Sequence, residues 1–230
     1  MKVSICIPTY EMHGKGTEFL FTALKSIKNQ TYKNIEIVVS DHSSNEKIKR
    51  LCSTLNTEEF PIKYIRNKNN KGSSSANLNN SMRNATGDII KILFQDDYFF
   101  STTCIEDICN IFKDKNANWA VVSCIHTVDG VHYFNPMVPY YNKNIYLGIN
   151  TISSPSVLAI RNTDLLLFDE NLIWLMDVDY YKRLYDVYGE PVIIKKCSVV
   201  NRLWEGQITN SVITNDIKKR EQELLSKKYK

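Results

Sequence analysis

Asp96 and Asp97 stand side by side directly after an apolar run, Ile89-Ile90-Lys91-Ile92-Leu93-Phe94. Adjacent carboxylates at a strand end repel each other unless a cation or hydrogen-bond donors compensate them. A hard divalent ion with oxygen ligands is a natural compensator. Mg²⁺ typically takes one or two protein carboxylates and lets substrate phosphates complete its shell. Such an ion neutralises charge developing on a departing diphosphate. The plainer reading is a surface turn with two helix-capping acids. Two further polar clusters follow apolar runs in the same manner: Thr9-Tyr10-Glu11 after Val3–Ile7, and Asp41 after Ile35–Val39.

The elements that must hold these clusters alternate in type. Val3–Ile7, Ile35–Val39, Ile62–Ile65 and Ile89–Phe94 read as buried strands, the first stopped by Pro8. Between them, Thr17–Asn29 (Leu20, Leu24 and Ile27 on one face), Asn45–Leu55 and the polar Ser74–Asn84 read as helices. This alternation predicts an α/β layered sheet, mostly parallel at its start. In such sheets ligands bind beyond the carboxyl ends of the strands, where the three acidic clusters fall. After Phe100 the pattern loosens. Ile105–Phe112 and Tyr180–Val187 read as helices, Trp119–Cys124, Val157–Ile160 and Val192–Lys195 as strands, and 126–150 as loops or a hairpin.

Composition excludes several classes. The 230 residues are 43% hydrophobic and 23% charged, ordinary for a globular chain with one substantial core. The net charge of +4 comes entirely from Ile217–Lys230, so no broad nucleic-acid-binding face is expected. That basic tail reads as a solvated terminal helix, with a weak peripheral contact to anionic lipid headgroups as the sharper alternative. The six cysteines form no Cys-x-x-Cys pair and sit in apolar runs, which predicts buried free thiols. With no signal-peptide pattern at Met1-Lys2-Val3-Ser4 and no apolar run long enough to span a bilayer, a cytoplasmic location is expected.

Taken in order, Ser4-Ile5-Cys6-Ile7-Pro8-Thr9-Tyr10, then Glu36-Ile37-Val38-Val39-Ser40-Asp41-His42-Ser43-Ser44, then Asn70-Lys71-Gly72-Ser73-Ser74-Ser75-Ala76, Asn79, Ala85-Thr86-Gly87-Asp88 and the strand to Asp96-Asp97 resemble the family 2 glycosyltransferases of the GT-A fold. The resemblance covers about the first hundred residues and resumes from Ser154 to Asn210. It implies an α/β GT-A fold: a single Rossmann-like mixed β-sheet flanked by helices, with a smaller C-terminal acceptor-side region. Residues 1–100 would form the nucleotide-sugar half and 101–215 the acceptor and catalytic-base half of one domain, with 216–230 as the basic tail. The implied reaction is inverting transfer from a nucleotide-diphosphate donor, typically a UDP-sugar, to a hydroxyl of a glycan or lipid-linked glycan. The setting would be cell-surface polysaccharide or glycoconjugate synthesis, with Mg²⁺ or Mn²⁺ as cofactor.

The resemblance also implies roles. Pro8, Thr9, Tyr10 and Glu11 would line the nucleotide pocket. Asp41 would accept a hydrogen bond from uracil N3–H, a donor that cytosine lacks at that position. Asn70 and Gly72 would let the backbone approach the nucleotide, Gly72 because it lacks Cβ. The Asn70–Asn79 spacing is one residue longer than usual and leaves Asn77 and Asn79 both open as the counterpart. The metal motif is shortened to Gln95-Asp96-Asp97. Asp97 would bind metal, and Asp96 would meet ribose or a metal-bound water. Asp177, after Trp174-Leu175-Met176, aligns with the family's Asp before a helix, where Met176 replaces a Glu. It would be the base that deprotonates the acceptor hydroxyl, with Asp179 as runner-up or a first-turn acid. In Asn201-Arg202-Leu203-Trp204-Glu205, Arg202 would pair with a phosphate. Trp204 or Glu205 falls near a His that many relatives use as a metal ligand. The aromatics Tyr133, Phe134, Tyr140, Tyr141 and Tyr146 would face an acceptor or pack a small lobe. Two rivals are carried: a non-catalytic nucleotide-sugar-binding relative, and a nucleotidyltransferase, which lacks its basic Gly-rich loop here. A dehydrogenase is disfavoured because no Gly-x-Gly-x-x-Gly follows the first strand.

Overall fold

Val3–Thr9 forms the first strand, β1, and all seven of its residues are buried. A strand covered on both faces reads as a continuous apolar run rather than an alternating one, as here. The strand continues through Pro8, which pairs with Ser40, rather than stopping before it. The Cys6 and Pro8 backbone groups face the neighbouring strand on the other side, and the ladder there ends at the Cys6–Ile92 pair. The missing N–H of proline therefore removes no ladder bond.

The computed structural model describes residues 1–229. After β1 come α1 (Gly16–Lys28), β2 (Ile35–Asp41), α2 (Lys47–Leu55), β3 (Ile62–Arg66), α3 (Ser74–Arg83), β4 (Ile89–Ile92) and the two-residue β5 (Tyr98–Phe99). Then follow α4 (Cys104–Asp114), β6 (Trp119–Thr127), β7 (Tyr133–Met137), β8 (Leu158–Arg161), α5 (Met176–Tyr188), β9 (Val192–Arg202), the short α6 (Ile208–Ser211) and α7 (Asn215–Lys228). The strands make one mixed sheet in the order β3-β2-β1-β4-β8-β6-β9-β5, with β7 paired to β6. Pairs among β1 to β4 are parallel, as expected. Beyond β4 the sheet turns antiparallel at β8, and only β6 and β9 run parallel. The nine strands thus join both halves of the chain through one core.

α3 was read as helical but polar, and its polar side chains prove to be largely buried. Ser75, Asn77, Asn79 and Ser81 are all nearly inaccessible, and the two asparagines bond to neighbouring segments instead of to water. Satisfied in this way, buried polar groups tie one element to another at little cost.

The basic segment at the C-terminus is a docked helix rather than a loose tail. Glu221 and Leu225 of α7 are buried. Glu221 accepts the backbone N–H groups of Ile173, Trp174 and Leu175 at 2.8–2.9 Å. Lys228 Nζ and the Tyr229 hydroxyl donate to Asp179 Oδ1. The tail's last residue, Lys230, lies outside the described residues. Among the described residues no helix is long and apolar enough to cross a membrane. All six cysteines are free, five buried and Cys197 partly so.

Candidate active site

The carboxyl ends of β1, β2 and β4 open on a cavity of about 790 Å³. Pro8, Thr9, Tyr10 and Glu11 leave β1 along one wall. Gln95 fixes them: its Oε1 accepts the Tyr10 N–H at 2.9 Å and its Nε2 donates to Gly16 O at 2.6 Å. Gly16 permits this closeness, because a Cβ there would lie 2.3 Å from Tyr10 O. Gln95 is the residue by which the acidic motif is shortened, and its role is to clamp the first loop to the acids. Glu11 accepts the Ser44 N–H, joining the ends of β1 and β2. Burial pushes its carboxyl up, but the Ser44 and Asn45 amides and the Lys71 charge outweigh that and hold it below its usual value.

Opposite stands the entry to α3. Gly72 (φ +94°) turns the chain in a conformation that side chains rarely adopt, and Ser73 caps the helix by accepting the Ala76 N–H. Gly72, Ser73, Ser74 and Asn77 line the cavity. Asn77 donates to Thr9 O at 3.0 Å and accepts from the Ser40 hydroxyl at 2.6 Å. Of the two asparagines left open by the sequence, Asn77 is the one that faces the cavity. Asn79 is a correction. It points the other way, donating to Phe168 O and Glu170 Oε1 and accepting the Phe168 N–H. Two residues along a helix lie about 200° apart, so both cannot face one cavity.

Asp96 and Asp97 both line the cavity floor. Asp97 is held on every side: its Oδ1 accepts the Arg202 N–H at 3.0 Å, and its Oδ2 accepts from Asn201 Nδ2 at 2.9 Å and the Ser154 hydroxyl at 3.2 Å. Asp96 Oδ2 accepts the Trp204 indole N–H at 3.0 Å. Burial first, then the neighbouring Asp97 charge, pushes the Asp96 carboxyl up; burial likewise raises Asp97 against donors from Ser156, Arg202, Asn201 and Ser154. Among the described residues, no lysine or arginine forms an ion pair with either acid. Lys91, fully buried below them, donates to Ser156 O and Ile92 O instead. Among the described residues no three acids, histidines or cysteines converge as a complete metal site. Two crowded, unneutralised carboxylates suit an ion whose remaining ligands arrive with a phosphate-bearing substrate.

Asp177 faces the same cavity from the start of α5. Its Oδ2 accepts Asn150 Nδ2 at 2.7 Å and its Oδ1 accepts the Val178 N–H at 2.8 Å. Burial pushes its carboxyl up to about 7, with those donors opposing. The runner-up, Asp179, is fully buried, lies off the cavity and is bonded to Arg183, Lys228 and Tyr229, anchoring α7.

Three further expectations are corrected. Asp41 does not line the cavity. Its Oδ1 accepts the Ser43 N–H, and its Oδ2 accepts the Tyr64 hydroxyl at 2.7 Å beside Arg66 at 3.5 Å. It is fully buried and shapes the loop that presents His42 to the cavity. Burial holds the His42 imidazole below its usual pKa, and Nε2 lies 3.1 Å from Asn69 O. Asn70 turns away to donate to Glu170 at 2.7 Å. The Arg202 guanidinium lies over the Phe19 ring at 4.9 Å and the Tyr98 ring at 5.6 Å, outside the cavity. Arg202 reaches the acids only through its backbone N–H and a 3.3 Å bond to Asp96 O. Glu205 is exposed and off the cavity, so Trp204 alone occupies the place near the acids.

Several contributors escaped the sequence reading: Ser154, Asn201 and Asn150, each of which bonds an acid. Only the Ser154–Asn210 resemblance hinted at the first two, and Asn150 sits in a loop without pattern.

Against known proteins, a model described as Glycosyl transferase family 2 matches residues 4–182. The chain belongs to glycosyl transferase family 2. Its fold is the expected GT-A type, shared with solved glycosyltransferase structures. One is S. aureus TarS in complex with UDP-GlcNAc, with TM-score 0.75 and 18% identity over 98% of this chain and 66% of that one. Another is the mannosyltransferase PcManGT of Pyrobaculum calidifontis in complex with GDP-Man and Mn²⁺, with TM-score 0.64 and 16% identity over 89% of this chain and 57% of that one. In sequence, the family 2 chain is 35% identical over 100 residues to a Campylobacter jejuni GalNAc(5)-diNAcBac-PP-undecaprenol beta-1,3-glucosyltransferase, covering 44% of this chain and 31% of that protein. It is 27% identical over 229 residues to an uncharacterized glycosyltransferase of Rickettsia typhi, covering 92% of this chain and 67% of that one. The chain therefore spans about a third of the length of the Campylobacter relative and two thirds of the Rickettsia one.

Proposed function

We propose that this chain transfers a sugar, with inversion, from a UDP-sugar to a hydroxyl of a glycan or lipid-linked glycan. The observation that carries the proposal is the shared cavity: Asp96 and Asp97 enter it from the end of β4, and Asp177 enters from α5. The first pair suits the donor's diphosphate, and the third acid suits the acceptor. UDP as the nucleotide rests on the fold shared with TarS, whose complex holds UDP-GlcNAc. A lipid-linked acceptor rests on the undecaprenol-linked acceptor of the Campylobacter relative. The division into a donor half over 1–100 and an acceptor half over 101–215 is supported by Asp96 and Asp97 coming from the first segment and Asp177 from the second. The exposed basic side chains of α7, Lys219, Arg220 and Lys227, are the face offered to an anionic lipid surface.

The residues act as follows. Pro8–Glu11 and Asn77 seat the nucleoside against the wall shaped by Asp41 and presented by His42. Asp96 and Asp97 would hold Mg²⁺ or Mn²⁺, which when bound supplies positive charge to the leaving diphosphate. Asp177 accepts the proton of the acceptor hydroxyl as that oxygen attacks the anomeric carbon and the bond to the diphosphate breaks. The barrier is an oxocarbenium-like state, as in glycoside hydrolysis.

Release of UDP from a panel of UDP-sugars, with and without EDTA, tests the reading. Turnover that needs a divalent ion and vanishes in Asp97→Ala is expected. Undiminished turnover in EDTA or in that variant removes the mechanism. UDP binding without turnover on any donor favours the non-catalytic alternative.

A further inference from the structure

The loop Asn150–Ser154 touches both ends of the reaction. Asn150 uses its whole side chain. Its Oδ1 accepts the backbone N–H groups of Ile152 and Ser153, each at 3.0 Å, closing a tight turn. Its Nδ2 donates to Ser153 O at 3.1 Å and to Asp177 Oδ2 at 2.7 Å. Ser153 sits at φ +95°, a left-handed conformation that costs a residue with a side chain of order 1–3 kcal/mol. The surroundings hold it there: the Tyr181 hydroxyl donates to Ser153 O, and the Ser153 hydroxyl donates to Asn201 Oδ1. The next residue, Ser154, donates to Asp97 Oδ2 and accepts from Asn201 Nδ2 at 2.7 Å. Five consecutive residues thus link the acid proposed as base to an acid proposed for the metal.

We propose that this turn is a positioning bridge in which Asn150 orients Asp177 and stabilises its ionised form, while Ser153 and Ser154 fix Asp97 at the other end. The proposal rests on the reading of Asp177 as the base. An amide N–H donated to a carboxylate favours the charged form, the form able to take a proton. Burial works against that form at this position. The other titratable groups acting on Asp177 are Glu221 of α7, whose negative charge disfavours ionisation, and Tyr181 of α5. The loop supplies the neutral Asn150 as the opposing donor. Asn150 is a positioning residue: it reaches the acceptor only through Asp177.

Asn150→Asp separates the two jobs of the side chain. A carboxylate can still accept the Ile152 and Ser153 N–H groups and so keep the turn. It donates nothing to Asp177 and adds a like charge beside it. The acid limb of the kcat/KM profile should move up by about one pH unit or more. Activity should fall about fivefold or more at pH 7 and return toward the wild-type level above the shifted limb, with UDP affinity unchanged. Asn150→Ser, which keeps a small acceptor for the turn and carries no charge, should shift the limb in the same direction by less; it carries the test if the aspartate variant does not fold. An unmoved limb in these variants, with Asp177→Asn inactive, overturns the bridge and leaves the base reading standing. Full activity in Asp177→Asn overturns the base reading itself.

Discussion

The indole N–H of Trp204 donates to Asp96 Oδ2 at 3.0 Å, so a hydrogen-bond donor occupies the place near which the family resemblance leads one to expect a metal-binding histidine. Trp204 is wedged against Phe19, ring centroids 5.4 Å apart, and under the Lys15 ammonium. An indole cannot ligate, and its donor already occupies one oxygen of Asp96. The chain's own ligand set for a divalent ion is therefore thin. Trp204→His exchanges a donor for a nitrogen ligand and frees that oxygen. Mn²⁺ should bind at least about tenfold more tightly in this variant, as measured by competition with a fluorescent chelator. Unchanged or weaker binding places Trp204 too far from the ion for such a role.

The crowding of the two acids has a cost in the metal-free protein. Each carboxyl is raised by burial, and Asp96 is raised further by its neighbour. A carboxyl whose folded value lies above its unfolded value destabilises the fold once pH exceeds the unfolded value, and the loss grows until the folded value is passed. At pH 8 in EDTA, Asp96→Asn should therefore be the more stable protein by roughly 1 kcal/mol, about 2–4 °C in Tm. Saturating Mn²⁺ should narrow or reverse that gap. Calorimetric melts in EDTA and in Mn²⁺ measure both.

Asp177 is pushed up to about 7 by burial. A base must be ionised to work, so kcat/KM should rise as pH increases through a limb near that value and level off above it. Asp177→Asn should bind UDP as the wild type does yet lose transfer by at least about a hundredfold, the usual worth of general-base catalysis. A limb near pH 4 would mean that burial does not raise the Asp177 carboxyl in the free enzyme.

Glu221 is fully buried and receives three consecutive N–H groups ahead of α5. Glu221→Ala leaves those donors without partners, and denaturant unfolding should show a loss of about 2–4 kcal/mol. Because these donors fix the entry to α5, transfer should fall more than UDP affinity does. A change below about 0.5 kcal/mol, the usual range for surface positions, would show that α7 is not held by this contact.

The first hundred residues were legible because β1, β2 and β4 are covered on both faces and read as apolar runs, and α1 carries a spaced apolar stripe. Strand-end placement of Thr9–Glu11 and Asp96–Asp97 followed from that pattern alone. The start of α5 at Met176 was missed because no Ser, Thr, Asp or Asn caps it; Glu221, more than forty residues later, holds the three residues just ahead of it through their N–H groups. The strand β9 was read as four residues and runs for eleven, since its polar stretch Lys195-Lys196 interrupts the apolar signal. Asp41 and Arg202 carry family-like positions, but their side chains are claimed by Tyr64, Arg66, Phe19 and Tyr98, partners that no local pattern announces. Asn79 and Asn77 are two residues apart, and only packing against Phe168 and Glu170 settles which one faces inward.

Calorimetric titration of UDP into the wild type and Asp97→Asn, each in Mn²⁺ and in EDTA, addresses the arrangement of acid pair and nucleotide cavity most directly. Binding that requires Mn²⁺ in the wild type and weakens at least about tenfold in Asp97→Asn is the predicted result. Equal UDP affinity in all four titrations would contradict it.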